Sequence, residues 1–302
     1  MESLILLALA PIFYGCMLWE ALYWRRRGVA QYTWRDTLSN MTLAGMHQVA
    51  DGLAWVVLLG LYTVVYQFRL LDLDMGPWVV AALFIGQDFF YYWFHRVSHG
   101  MRWMWASHVT HHSSERLNLS TAFRQSLTYP ISGMWVFWLP LAWIGFEPQW
   151  VVLVVGINLA YQFFVHTEAV RKLPAWVEFI FNTPSHHRVH HARNDRYVDR
   201  NFGGVLIIWD RLFGTFVEER EDDPCEYGIT RRQIRTHNPI TLTFQEWRYM
   251  LRQATQPGLR LGERLRYLWG HPDWEADSLQ TQPSQAKTQA MGQPVSTVNK
   301  PA

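Results

Sequence analysis

Nine of the 13 histidines in this chain fall in two short stretches. The first holds His95, His99, His108, His111 and His112. The second, NTPSHHRVHH at 182–191, holds His186, His187, His190 and His191. His95 and His99 are four residues apart, while His108/His111/His112 and His187/His190/His191 both read HxxHH. On a helix, residues three and four apart share a face. Each group therefore offers imidazoles from one side of one helix. Imidazole is the commonest metal-ligating side chain and suits iron, zinc, copper and nickel. A lone histidine is ordinarily a cap or a satisfied core group, but three groups at helical spacing ask for another cause. One ion takes about four to six ligands, so this many histidines imply two ions close together. Zinc needs three or four protein ligands, and two all-histidine zinc sites on membrane helices would be unusual. Redox-active iron with coordination positions open to O2 fits better.

The elements that must position these residues are helices. Thr183-Pro184 reads as the N-cap and first residue of the last histidine helix. Residues 4–24 are apolar apart from Glu20 and end at Arg25-Arg26-Arg27, the pattern of an uncleaved membrane helix with a cytoplasmic C-terminal end. Residues 38–66 form a second long apolar stretch, interrupted by His47 and Asp51. These share a helix face, and an ionisable pair within a span is a functional candidate or an interhelical hydrogen bond. Residues 78–94 form a third stretch. It carries Asp88, roughly on the face of His95, where a carboxylate could orient a ligand imidazole. Residues 127–146, with Pro130 and Pro140, and residues 150–165 are short for full spans, and a kinked or re-entrant hairpin is the alternative. With Arg25–Arg27 inside, every histidine cluster emerges on the cytoplasmic face. The outer loops then hold Asp72, Asp74 and Glu147, with Arg69 as their one cation, as the positive-inside rule asks.

Composition agrees with a membrane protein. Hydrophobic residues make up 49% and aromatics 16%, with 17 Trp, a load that suits interfacial belts. The net charge of +2 gives nucleic acid no obvious hold. Cys16 and Cys225 form no CxxC and suggest neither a disulfide framework nor a thiolate metal site. Beyond the recurrence of HxxHH there is no internal repeat. The expected fold class is all-α: an integral-membrane helical bundle of four to five membrane segments with a cytoplasmic, histidine-rich helical cap. The expected divisions are N-terminal membrane helices at 1–77, a catalytic domain at 78–217 and a cytoplasmic segment at 218–276. A tail at 277–302, rich in Gln, Ser, Thr and Pro, is expected to be disordered.

HRVSH, HVTHH and SHHRVHH, in this order between apolar hairpins, resemble the histidine boxes of the fatty acid hydroxylase/sterol desaturase superfamily of integral-membrane di-iron oxygenases. The match covers about residues 78–216. YQFFVHTE, FNTPSHHRVHHARN and NFGGVLIIWDRLFGTF are similar to its alkylglycerol monooxygenase-like branch and bacterial sterol-desaturase-like relatives. The resemblance implies metal ligands at His95, His99, His108, His111, His112, His187, His190 and His191, with His166 as an additional ligand between the second and third boxes. His186, four before His190, is a further candidate, although the HxxHH register selects His187. Asp88, Asn182, Asn194, Asp195 and Asp210 are candidates for orienting the ligands.

The implied activity is O2-dependent hydroxylation of a C–H bond in a membrane lipid of sterol, fatty acyl or alkyl-lipid class, with two iron ions. No side chain beyond the metal centre need act as a catalyst. The chain has no flavin, haem or GxGxxG motif, so electrons must come from an external donor, a reduced pterin or a ferredoxin- or cytochrome-type protein. Arg96, Arg102 and Arg188 could meet lipid phosphate or an acidic donor. The shorter C-terminal part, relative to the animal enzymes of that branch, leaves an ether-lipid substrate and a pterin requirement open. Desaturation on the same centre is the second enzymatic outcome. A membrane metal carrier would place ionisable residues along a through path, whereas these histidines gather at one face. A zinc hydrolase would want a carboxylate base among the ligands, and neither HxxxH nor HxxHH has one. A bacterial inner membrane, or the endoplasmic reticulum in a eukaryote, fits these features.

Overall fold

The structure is a computed structural model that describes residues 2–276. The expected disordered tail at 277–302 lies outside the described residues. Among those described the fold is all-helical, with isolated β-bridges in place of strands.

The first helix, α1 (Glu2–Arg26), ends on Arg25 and Arg26. The next, α2 (Trp34–Gln67), runs 34 residues, about 51 Å at 1.5 Å per residue. The Thr33 side chain caps it by accepting from the Asp36 N–H. Its outer face is bare hydrocarbon: Leu53, Val56 and Val57 are at least 70% exposed. Such a face is stable against lipid and costly against water. Helix α3 (Pro77–Gly100) starts on a proline and carries His95 and His99 on its last turns. Helix α4 (Arg102–His112) follows after one residue and carries the second histidine group.

The fourth apolar stretch is broken, not continuous. It forms α5 (Tyr129–Ser132), a 3₁₀ turn at Met134–Trp138 and α6 (Leu139–Ile144). Gly133 and Gly145 both take positive φ, which side chains resist. A Cβ on Gly145 would lie 2.2 Å from the Leu71 carbonyl oxygen. The tight approach lets the Leu70 and Leu71 N–H groups donate to the Trp143 and Ile144 carbonyls. By contrast α7 (Pro148–Val165) is unbroken and 18 residues long. Three helices among the described residues are long and apolar enough to cross a membrane: Leu6–Arg26, Trp34–Gln67 and Pro148–Val165. Of the other two expected segments, the fourth stretch is interrupted by Pro and Gly, and α3 carries Gln87 and Asp88 within its apolar run.

Helices α2, α3, α6 and α7 share one core of Tyr62, Leu83, Phe94, Trp138, Leu141 and Val151. Glu20, on α1, is fully buried. It accepts from the Leu119 N–H at 2.8 Å and from the hydroxyls of Tyr32 and Thr167, which ties α1 to the histidine-bearing cap. Short helices α8 (Ala175–Ile180), α9 (Pro184–His191) and α10 (Ile208–Phe213) follow. Then α11 (Pro239–Ala254) and α12 (Leu261–Trp269) pack on α4, with Trp247 and Met250 closing over Ala106.

Candidate metal centre

Four segments deliver the histidines. Helix α3 supplies His95 and His99, α4 supplies His108, His111 and His112, the C-cap of α7 supplies His166, and α9 supplies the rest. Helix α9 begins where the sequence asks, with Thr183 as N-cap and Pro184 in the first turn. The side chains gather into two sets. One is His95, His99, His108, His112 and His190; the other is His111, His166, His187 and His191. Within each set the ligand atoms lie within 4.8 Å of one another, and all nine residues are buried.

The Nδ1 atoms are held from behind. His95 donates to the Phe202 carbonyl at 2.9 Å, His111 to that of Arg124 at 3.3 Å, His166 to that of Gln162 at 2.7 Å and His190 to that of Arg200 at 2.9 Å. A carbonyl cannot donate, so these Nδ1 atoms carry the proton and their Nε2 atoms are bare lone pairs. His166 and His111 nevertheless bring Nε2 atoms to 3.1 Å, and His187 and His166 to 2.9 Å. In the other set His95 and His108 meet at 3.0 Å, as do His112 and His108. Between His111 and His166, both protonated on Nδ1, two bare lone pairs at such a distance repel, and a cation relieves the repulsion. The buried Nε2 atoms of His99 and His190 have no hydrogen-bond partner among the described residues. Burial holds the imidazoles of His108, His111, His112, His187, His190 and His191 well below their ordinary pKa, and that of His166 down to about 4. Neutral imidazole is the metal-binding form. The donor set fits two metal ions.

His186 stands in neither set. Its Nε2 faces Glu178 at 2.9 Å and its Nδ1 lies 3.2 Å from the Phe181 carbonyl, so it braces α9 against α8. The proposed orienting residues divide in the same way. Asp88 accepts from the N–H groups of Val205 and Leu206 and from the Trp209 indole at 2.8–3.0 Å. Asp210 accepts from the Phe202 and Gly203 N–H groups, both at 2.7 Å. The Asn182 amide donates to the carbonyls of Gly203 and Gly204. These three clamp the loop whose Phe202 carbonyl holds His95, and so act on the centre at one remove. A Cβ on Gly204 would come within 3 Å of Tyr91, Asn158 and Asp88; only glycine permits this packing. Asn194 serves the Asp223 and Glu226 loop, and Asp195 is exposed.

Sequence reasoning missed Asp199, whose carboxylate lies 3.0 Å from His99 Nδ1. It also missed Tyr129, whose hydroxyl lies 2.7 Å from His108 Nδ1. Arg102 and Arg188 do not face lipid phosphate. Arg102 is fully buried and donates to the Pro272 and Trp274 carbonyls, while Arg188 forks onto Glu219 with two bonds of 2.7 Å. Arg96 donates to the Tyr92 hydroxyl at 3.0 Å.

Two cavities reach the histidines. One, of about 480 Å³, is lined mainly by apolar residues of α1, α2 and α7 and ends on His108, His111 and His166. The other, of about 60 Å³, ends on His99, His112, His190 and His191 beside Asp199, Arg231 and His271.

The family model for fatty acid hydroxylases matches residues 80–215, a stretch that contains every histidine of both sets. Residues 80–215 are a fatty acid hydroxylase domain. It is 41% identical to alkylglycerol monooxygenase of Homo sapiens over 237 residues, 78% of this chain and 52% of that protein. With alkylglycerol monooxygenase of Danio rerio it is 38% identical over 267 residues, 87% of this chain and 58% of the relative. Ornithine lipid hydroxylase OlsE of Rhizobium tropici is 31% identical over 152 residues, 50% of this chain and 45% of that one. The chain thus spans about half the length of these relatives. No solved structure matches it.

Proposed function

We propose that the chain is an O2-dependent di-iron membrane oxygenase that hydroxylates a C–H bond of a membrane lipid, of alkyl, fatty acyl or sterol class. The observation that carries this reading is the meeting of bare imidazole nitrogens with the end of a wide apolar cavity at His108, His111 and His166. Iron held by these two sets would supply the reduction of O2 and the oxidation of the C–H bond. The nine histidines named above are the ligands, and His186 is a structural partner of Glu178. Carbonyl and carboxylate groups behind the imidazoles fix which nitrogen faces the metal. The cavity binds the hydrocarbon part of the substrate and excludes water from the reacting carbon. An external donor, a reduced pterin or a ferredoxin- or cytochrome-type protein, delivers the electrons. The chain is a multi-pass protein of a bacterial inner membrane, or of the endoplasmic reticulum in a eukaryote. Its histidines lie on the cytoplasmic face, in keeping with the arginines that end α1.

The test is metal analysis of the purified protein alongside His187→Ala, followed by a search of lipid extracts for a product heavier by one oxygen. About two irons per chain, lost in part in the variant, together with that product, support the reading. A product lighter by two hydrogens would move the assignment to desaturation. Stoichiometric zinc that iron cannot replace, with no oxygen uptake on reduction, would overturn it.

A further inference from the structure

Two apolar patches outside the metal centre are bare. Trp176 and Phe179 on α8 and Leu212 on α10 are 66%, 60% and 69% exposed. These two short helices form one surface. The Arg211 guanidinium donates to the Phe179 and Glu178 carbonyls at 3.1 Å, and the Ile207 N–H donates to that of Ile180 at 3.0 Å. On α12, Leu261, Leu265 and Trp269 recur every four residues, share a face and are also exposed. Side chains of this size are costly in water, and contiguous ones mark a contact. Each patch adjoins an apolar stretch through tryptophan, the side chain that marks the boundary between hydrocarbon and water. Trp209 of α10 packs edge-on to Phe89 of α3 with centroids 5.3 Å apart. Trp269 stacks on Trp103 at 5.1 Å, and the Trp103 indole donates to the carbonyl of Ile131, an exposed residue of α5. Exposed cations stand beside both patches: Arg171 before α8, and Arg260 and Arg266 along α12.

We propose that the histidine-bearing cap rests on the bilayer surface through these two patches, with their apolar side chains among the upper acyl carbons and the arginines beside lipid phosphate. The inference rests on the membrane part of the proposed function and not on its chemistry. A single lipid surface covers both patches at once, and it continues the surface that the apolar stretches already meet. Arginine beside the apolar side chains suits its phosphates. The contact also bears on the centre. Helix α8 holds Glu178 against His186 of α9 at 2.9 Å. Helix α12 ends at Gly270, whose carbonyl accepts from the Arg102 N–H, at the start of α4, at 2.9 Å. Helices α4 and α9 each feed both histidine sets, so the bilayer surface braces the two elements that span the centre.

The test is photolabelling from the lipid, which requires neither turnover nor mutation. Full-length protein is placed one chain to a nanodisc of phosphatidylcholine and phosphatidylglycerol, doped with a phosphatidylcholine that carries a diazirine near the headgroup end of one acyl chain. Light releases a carbene, and mass spectrometry maps the adducts. Val49 and Leu53, exposed on α2, are the positive control. Adducts at 173–180 and 261–269 are expected to exceed those in the exposed loop around Glu221 by on the order of ten-fold. Trp176→Glu with Phe179→Glu should lose the adducts at 173–180 and keep those at 261–269. If that variant does not fold, judged by iron content and unfolding temperature, Leu265→Glu makes the reciprocal test. Adducts on α2 with none at one or both patches would overturn this proposal alone. No adducts anywhere would remove the membrane reading with it. Adducts that vanish when two chains share a disc would assign the patch to a second copy and overturn the proposal.

Discussion

The two cavities that reach the histidines differ in size and chemistry. The wide one, about 480 Å³, is walled by helices whose outer faces are bare hydrocarbon, and it ends on His108, His111 and His166. The narrow one, about 60 Å³, is ringed by Asp199, Arg231, His271 and Asp273 and ends on His99, His112 and His190. A space of that size admits a few waters and no acyl chain. The contrast separates two supplies to one centre. On the proposed function, the bulky, oily reactant would enter by the apolar side, and protons and other small species by the polar one. The donor nitrogens divide similarly: among the described residues, the five-histidine set has Asp199 behind it and the four-histidine set has backbone carbonyls.

Acid should be the bluntest way to disturb both sides. Burial holds the His166 imidazole at about 4, against about 6.5 in an unfolded chain. Below about 6.5 the unfolded state binds more protons, so metal-free protein is expected to lose stability as pH falls from about 6.5 to about 4. His166 alone contributes about 3 kcal/mol over that window. Thermal unfolding of chelated protein across this range checks it, and a flat profile would show that the histidines are hydrated.

Blocking the wide side is the sharper test of the contrast. Gly45 lines that cavity, and a Cβ there meets nothing within 4 Å. Gly45→Phe should lower lipid affinity on the order of a hundred-fold at unchanged iron content, measured by lipid titration and metal analysis. Slower reduction with unaltered lipid binding would reverse the assignment of the two cavities. On the narrow side, Asp199→Asn removes the carboxylate behind His99. Iron affinity is expected to fall about ten- to a hundred-fold, with lipid affinity preserved; competition with a chelator reads the difference. The smallest change expected is in Asn182→Ala, which frees the Gly203 and Gly204 carbonyls. It should cost about 1–2 kcal/mol of stability in denaturant unfolding, without selective loss of either metal.

The histidines were legible because helical spacing projects them: i, i+3 and i+4 positions must share a face, whatever else the fold does. Periodicity places His186 as well as His187 near that face. The HxxHH register favours His187, and the packing of α8 against α9, which supplies Glu178 to His186, agrees with it. Asp199 was illegible for a different reason. It lies in a loop with φ of 56°, where no period says which way a side chain points, and 100 residues separate it from His99. Asp88 was read on the correct helix but one contact too close to the metal, since its partners are backbone N–H groups of a distant loop. The apolar stretch at 127–146 gave its composition but not its course. Pro130, Gly133, Pro140 and Gly145 each permit a break, and contact with Leu70 and Leu71 decides how the chain turns.

The four-histidine set has consequences for how the protein matures. Its members come from α4, the end of α7 and α9, so no early stretch of the nascent chain owns a complete binding pocket. Residues through His191 must be synthesised, and α7 must be in place, before that pocket exists. A metal ion bound there would therefore enter late, as a clasp on a finished bundle and not as a seed for folding.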